Sequence, residues 1–157
     1  RAETMAFTPA YVEIEATYMV PEDSPLQSIE DVDKPGVRIA VSARAAYDLY
    51  LTRTLKHAEL HRAKGLGGAV DLFVNEKLDV LAGLRPALNE DVKRLPNMRI
   101  MDGRYTTVQQ AVGTKPENKA AIGFLRNFVA EAKQSGLVAE LIERHGVQGR
   151  LLVASDD

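Results

Sequence analysis

In segment 37–51, Ser42, Ala43, Arg44, Ala45 and Ala46 lie between a mostly β-branched run at 37–41 and a stretch, Tyr47, Tyr50, Leu51 and Leu55, of helical spacing. A strand that runs through a short loop into a helix leaves backbone N–H groups free at the helix start, and such groups attract carboxylates and phosphates. The chemistry expected of loop 42–46 is therefore ligand binding. Pro35-Gly36 punctuates the strand's start, as expected for a strand buried in a parallel sheet.

Other chemically capable residues are explained more simply. His57 and His61 have the i, i+4 spacing that lets two imidazoles share a metal on a helix, but Ala58-Glu59 breaks the metalloprotease order and no third ligand follows. Gly65-Leu66-Gly67-Gly68 lacks the lysine and the spacing of a phosphate loop and reads as a turn. Asp48 and Asp79 read as solvated or turn-capping carboxylates rather than as acid or base groups. Tyr47 and Tyr105 are placed either to stack on a solute or to pack. No catalytic residue, metal or cofactor is expected. The chain has no cysteine, which removes disulfides and thiolate sites and fits a reducing cytoplasm as well as a periplasm.

The elements that must position loop 42–46 follow from patterning. Val12, Ile14, Ala16, Tyr18 and Val20 alternate with Glu13, Glu15, Thr17 and Met19, predicting a long strand with one face in a core. Ser28-Ile29-Glu30-Asp31 resembles a capping box opening one helical turn. Beyond strand 37–41 the pattern predicts a helix to about His57, a strand near Leu60, a helix at 70–75 and a strand at 80–83. A helix after Pro86 and strands at 98–101 and 108–112 follow. That alternation marks a wound α/β sheet, and segments 37–41, 60–63, 80–82 and 98–100 are expected in one mainly parallel sheet with helices on both faces. After Pro116, Ala121, Phe124, Leu125, Phe128, Val129 and Ala132 form an apolar helical stripe, and Leu137, Val138, Leu141 and Ile142 form a second helix ending at Gly146. With 157 residues, 45% hydrophobic, the chain is long enough for a real core; its net charge of −2 gives no field favouring nucleic acid or an anionic membrane.

The order of these pieces resembles the bacterial extracellular solute-binding proteins of family 3, the type II periplasmic binding proteins that serve ABC importers. The first 11 residues, with Arg1, Phe7-Thr8 and Pro9-Ala10-Tyr11, look like the stretch ahead of that family's first hinge strand. Tyr18-Met19-Val20, Asp23-Ser24-Pro25 and Ser28-Ile29-Glu30-Asp31-Val32 look like the hinge strand and the turn after it. Ser135-Gly136-Leu137, Leu141-Ile142 and His145-Gly146 look like the closing helices.

The resemblance implies a two-lobed clamp that binds solute in a cleft. Residues 1–36 would be a remnant of the first lobe with a hinge strand, 37–103 a complete second lobe, and 104–157 a hinge strand with helices returning to the first lobe. Most of that first lobe, including an arginine that grips substrate carboxylate, is absent from this sequence, so the stripe around Phe124 and Phe128 is expected to fold back or to pair with a second copy as a homodimer. Ser42, Ala43, Arg44, Ala45, Ala46, Tyr47, Leu84, Arg85 and Gln109 are the implied ligand-binding residues. Two departures bear on the solute: Ala43-Arg44-Ala45-Ala46 lacks the hydroxyl donors of amino-acid binders, and Leu84 stands where they often have an ammonium-binding aspartate. Arg44 and Arg85 then favour an anionic or amino-acid-like solute, because guanidinium forks match carboxylates. The implied setting is the periplasm, with a membrane permease of an ABC importer as partner, no nucleic acid and no catalysis. The alternatives are a cyclohexadienyl dehydratase-like enzyme on the same scaffold and the ligand-sensing domain of a receptor.

Overall fold

The structure, a computed structural model, describes residues 4–155. Two compact units form: one is Glu15–Val108, and the other joins the residues up to Ile14 with those from Gln109 onward. The chain crosses from one unit to the other inside β1 (Ala6–Pro21) and again inside β6 (Thr106–Thr114).

In the Glu15–Val108 unit, β2 (Arg38–Ser42) pairs in parallel with β3 (Glu59–Ala63) on one side and β4 (Val80–Leu84) on the other. β1 follows, antiparallel to β4, and then β5 (Met98–Ile100), antiparallel to β1. The four expected segments thus share one sheet and one direction, but β5 is reached only through the antiparallel β1. Side chains alternate between faces. Ile39 and Val41 of β2, Val80 and Ala82 of β4, and Tyr18 and Val20 of β1 form one core with Tyr47 and Leu51 of α1 (Ala46–Thr54). Ala40, Leu81 and Met19 form the other core with Ala69 and Phe73 of α2 (Gly65–Asn75) and Leu88 of α3 (Arg85–Asp91). Residues 16–20 of β1 are buried throughout, so the one-sided strand predicted from alternation is corrected: helices cover both sheet faces here.

Two helix boundaries also differ from the predicted ones. Helix α1 stops at Thr54 instead of near His57, because Leu55 turns extended (φ −67°, ψ 139°) and the Asp33 carboxylate accepts the N–H groups of Lys56, His57 and Ala58 at 2.8–3.1 Å. His57 therefore lies in a loop and His61 in β3, so they do not share a helical face. Helix α2 begins at Gly65 and takes in the glycine run that reads as a turn. Glycine is a poor helix former, and the packing does not require it here: a Cβ on Gly68 would meet that of Ala63 in β3 at 3.4 Å, an ordinary contact.

In the other unit, the start of β1 pairs antiparallel with β7 (Leu152–Val153), and the Thr8 hydroxyl accepts the Val112 N–H of β6 at 3.1 Å. Helix α4 (Lys119–Gln134) buries Ile122 and Val129, and α5 (Leu137–Arg144) buries Val138. Gly136, in the left-handed region at φ 81°, turns the chain between them. Phe124 and Phe128, expected in a core or an interface, are 70% and 53% exposed, with their rings stacked at 6.5 Å. The buried stripe of α4 is narrower than its apolar one.

Two stability outcomes follow from this packing. A Cβ on Gly83 would approach the buried Leu88 Cδ2 to 2.9 Å, so Gly83→Ala should destabilise by about 1–3 kcal/mol in urea unfolding. At Asp33, partial burial opposes ionisation, yet the three N–H bonds from Ala58, His57 and Lys56 outweigh it and lower the pKa. A lowered folded-state pKa contributes stability that is present above the unfolded pKa and lost as pH falls through the folded one. The stability gap between wild type and Asp33→Asn, measured by unfolding from neutral pH downward, should be constant near neutrality and shrink below about pH 4.

Candidate functional site

Because β2 and β4 are parallel neighbours, their carboxyl ends reach the same sheet edge, where ligands of open α/β sheets bind. The loop after β2 carries Ser42–Ala46 there, and the end of β4 carries Leu84 and Arg85. Gln109 lies exposed on β6 in the other unit.

Most N–H groups of loop 42–46 are already used. Ala43 N–H donates to the Ala63 carbonyl at 2.9 Å, Ala45 N–H to the Ser42 carbonyl at 3.2 Å, and Arg44 N–H to Asp48 Oδ2 at 2.8 Å. What remains is the first turn of α1, whose N-cap Ala45 supplies no side-chain cap. Arg44 is exposed with φ at 65°, a left-handed conformation rare for a residue with a side chain. Asp48, read from the sequence as solvated or turn-capping, is buried and holds this geometry. Its second oxygen accepts Arg62 Nε at 3.0 Å, and Arg62 Nη2 donates on to the Thr52 hydroxyl at 2.8 Å. One internal carboxylate thus occupies part of the anion-attracting end of α1. Asp79 is a structural cap, accepting the Arg38 N–H at 2.8 Å and its guanidinium at 3.2 Å.

Arg85 is engaged as well. Its Nε donates to Glu15 Oε2 at 2.6 Å, Nη2 to the Gly103 carbonyl, and Nη1 to the Met101 carbonyl at 3.5 Å. Arg104 Nη1 lies 3.4 Å from the other oxygen of Glu15. Sequence reasoning named Arg85 but missed Glu15 and Arg104; the only local signal was a pair of acidic residues, Glu13 and Glu15, inside an otherwise uncharged strand.

The tyrosines pack. Tyr47 is buried against the core, where loss of solvation raises its pKa, partly offset by a hydrogen bond with Ser42. Tyr105 lies 4.4 Å from Tyr18 and 6.1 Å from Tyr50 between ring centroids, and its buried hydroxyl has no hydrogen-bond partner among the described residues. Burial, with Tyr18 and Tyr47 nearby, holds its pKa well above the ordinary phenol value. A cavity of about 20 Å³ lies between Tyr47, Leu66, Gly83 and Leu88, and one of about 660 Å³ lies at the amino ends of β2 and β4, lined by Pro21, Pro35, Phe73 and Leu78. Among the described residues no three His, Cys, Asp or Glu side chains gather as a metal site.

No family model matches the chain, and no curated protein matches it in sequence. Solved structures do. A mutant of ArgBP from T. maritima aligns at 20% identity over 92% of this chain and 62% of its own, with a TM-score of 0.68. The ligand-binding core of GluR0 in complex with L-glutamate aligns at 20% identity over 90% of this chain and 64% of its own, TM-score 0.72. AbpA from Streptococcus pneumoniae, an amino-acid ABC transporter substrate-binding protein bound to L-arginine, aligns at 18% identity over 92% of this chain and 62% of its own, TM-score 0.67. The chain spans less than two thirds of the length of each. Its fold is therefore the type II periplasmic-binding-protein fold that amino-acid substrate-binding proteins share, as the resemblance to solute-binding family 3 implies.

Proposed function

We propose that this chain is the solute-binding component of an ABC-type importer, not an enzyme, and that it takes a small amino-acid-like or anionic solute at the edge formed by residues 42–47 with Leu84 and Arg85. The observation that carries the reading is the uncapped first turn of α1 after the carboxyl end of β2, with Arg85 just past the carboxyl end of the parallel neighbour β4. Neighbours of the fold bound to L-arginine and L-glutamate support an amino-acid-like solute of that size. Residues Glu15–Val108 would serve as one lobe, and β1 and β6, which cross between units, would bend as hinges to close on the solute. Gln109, on the second crossing, would join the solute on closure. The periplasm and a membrane permease are the setting and partner this role entails.

The exposed apolar surface supports a second copy as a further partner. Of the ten exposed large hydrophobic residues among the described ones, Met5, Phe124, Phe128, Leu137, Leu141, Leu152 and Val153 belong to the unit that holds α4 and α5. At about 25 cal/mol per Å² of apolar surface, covering such side chains is worth several kcal/mol, enough to favour a homodimer through these helices.

A thermal-shift screen of the chain against amino, keto, aromatic and dicarboxylic acids should give a stoichiometric, saturable rise in Tm for one class without turnover; conversion of prephenate or arogenate would instead support the dehydratase reading. Asp48→Ala should lower stability by about 1–3 kcal/mol, because it removes the buried carboxylate that accepts the Arg44 N–H and Arg62 Nε. Sedimentation equilibrium at micromolar concentration should report a dimer that Phe128→Asp dissociates, whereas a wild-type monomer would remove the second copy from this account.

A further inference from the structure

The arrangement around Glu15 has the form of a carboxylate receptor already filled. Two guanidinium groups from separate segments, Arg85 at the start of α3 and Arg104 ahead of β6, converge on one carboxylate, one on each oxygen, at 2.6 and 3.4 Å. Arg85 also donates through Nη2 and Nη1 to the Gly103 and Met101 carbonyls, which holds its Nε–H on the carboxylate. The pair is not sealed in the core: the Arg85 and Glu15 side chains remain 23% and 26% exposed. It also lies where Ala16 of β1 pairs with Leu84 of β4, next to the edge that carries loop 42–46.

We propose that Arg85 and Arg104 are the carboxylate-recognising residues of the solute site, that Glu15 fills their seat as an internal stand-in, and that a solute carboxylate takes its place. The inference rests on the solute-binding reading above and narrows its solute to carboxylic acids. Exchange of one carboxylate for another leaves neither guanidinium unpaired, which avoids the cost of a stranded, partly buried charge. Glu15, already a quarter exposed, turns its carboxylate to water as the solute enters. The opposite assignment, in which Glu15 receives a solute ammonium, is disfavoured because each of its oxygens already faces a cation.

The test is the side-chain Nε–Hε resonance of Arg85, assigned by its loss in Arg85→Lys, while the chain is titrated with succinate, L-glutamate and, as the probe without a carboxylate, succinamide. The expected result is a saturable shift of that resonance with succinate or L-glutamate and none with succinamide. Glu15→Gln, which removes the competing charge, should tighten binding of the same acid by about threefold to tenfold, and Arg85→Gln should weaken it by at least about tenfold. If the amides of Ala46 and Tyr47 move with an acid while the Arg85 resonance stays fixed, this proposal is overturned and the solute-binding reading stands. If no resonance moves with any acid, both fall. Weaker binding in a folded Glu15→Gln chain would show that Glu15 itself contacts the solute, contrary to the proposal; should that variant not fold, the wild-type titration decides alone.

Discussion

The pairing of β2 with a parallel strand on each side is the constraint from which the rest of the Glu15–Val108 unit follows. Parallel neighbours cannot be joined by a tight hairpin, so each connection must cross over through a helix and pack it on the sheet. Alternation along the five residues of β2 then gives Ile39 and Val41 to the core under α1 and Ala40 to the core under α2 and α3. The same geometry brings the end of β2, the start of α1 and the end of β4 to a common edge. Fold stability and site placement therefore have one origin: moving β2 by one residue would exchange its two faces and dismantle both.

At that edge the protein satisfies much of its own polarity. Asp48 takes up the Arg44 N–H and Arg62, and Glu15 takes up Arg85 and part of Arg104. Internal pairing of this kind fixes side chains in place; truncating Arg62, for example, would leave the buried Asp48 carboxylate without its cation. It also raises the threshold for a ligand, which has to outcompete groups already in contact. The remaining uncapped turn of α1 is a modest anion attractor alone, and in the proposed function Arg85 and Arg104 would add the direction and charge that a small acid needs.

How much of this was legible in the sequence depended on the range of the interaction involved. Strand β2 and helix α1 could be read because burial of the β-branched run and the spacing of Tyr47 and Leu51 are local patterns. The end of α1 could not, since it is set by Asp33, 23 residues before Lys56. Nor could the start of α2, which takes in a glycine run despite glycine's poor helix propensity. Burial of Asp48 depends on Arg62, 14 residues on, and the engagement of Arg85 on Glu15, 70 residues back. Residue spacing carries no trace of such pairs. On α4 the apolar stripe was visible, but periodicity alone did not separate the buried Ile122 and Val129 from the exposed Phe124 and Phe128.

The central claim is that a solute is held at the carboxyl edge by the first turn of α1. Amide hydrogen exchange, residue by residue, with and without a saturating concentration of the acid that most raises Tm, tests it directly. Slower exchange concentrated at Ala46 and Tyr47, with the far end of the sheet around Gly36 and Leu78 unchanged, is the result the account predicts. Protection confined to the cavity at the amino ends of β2 and β4, with Ala46 and Tyr47 exchanging as before, would contradict it.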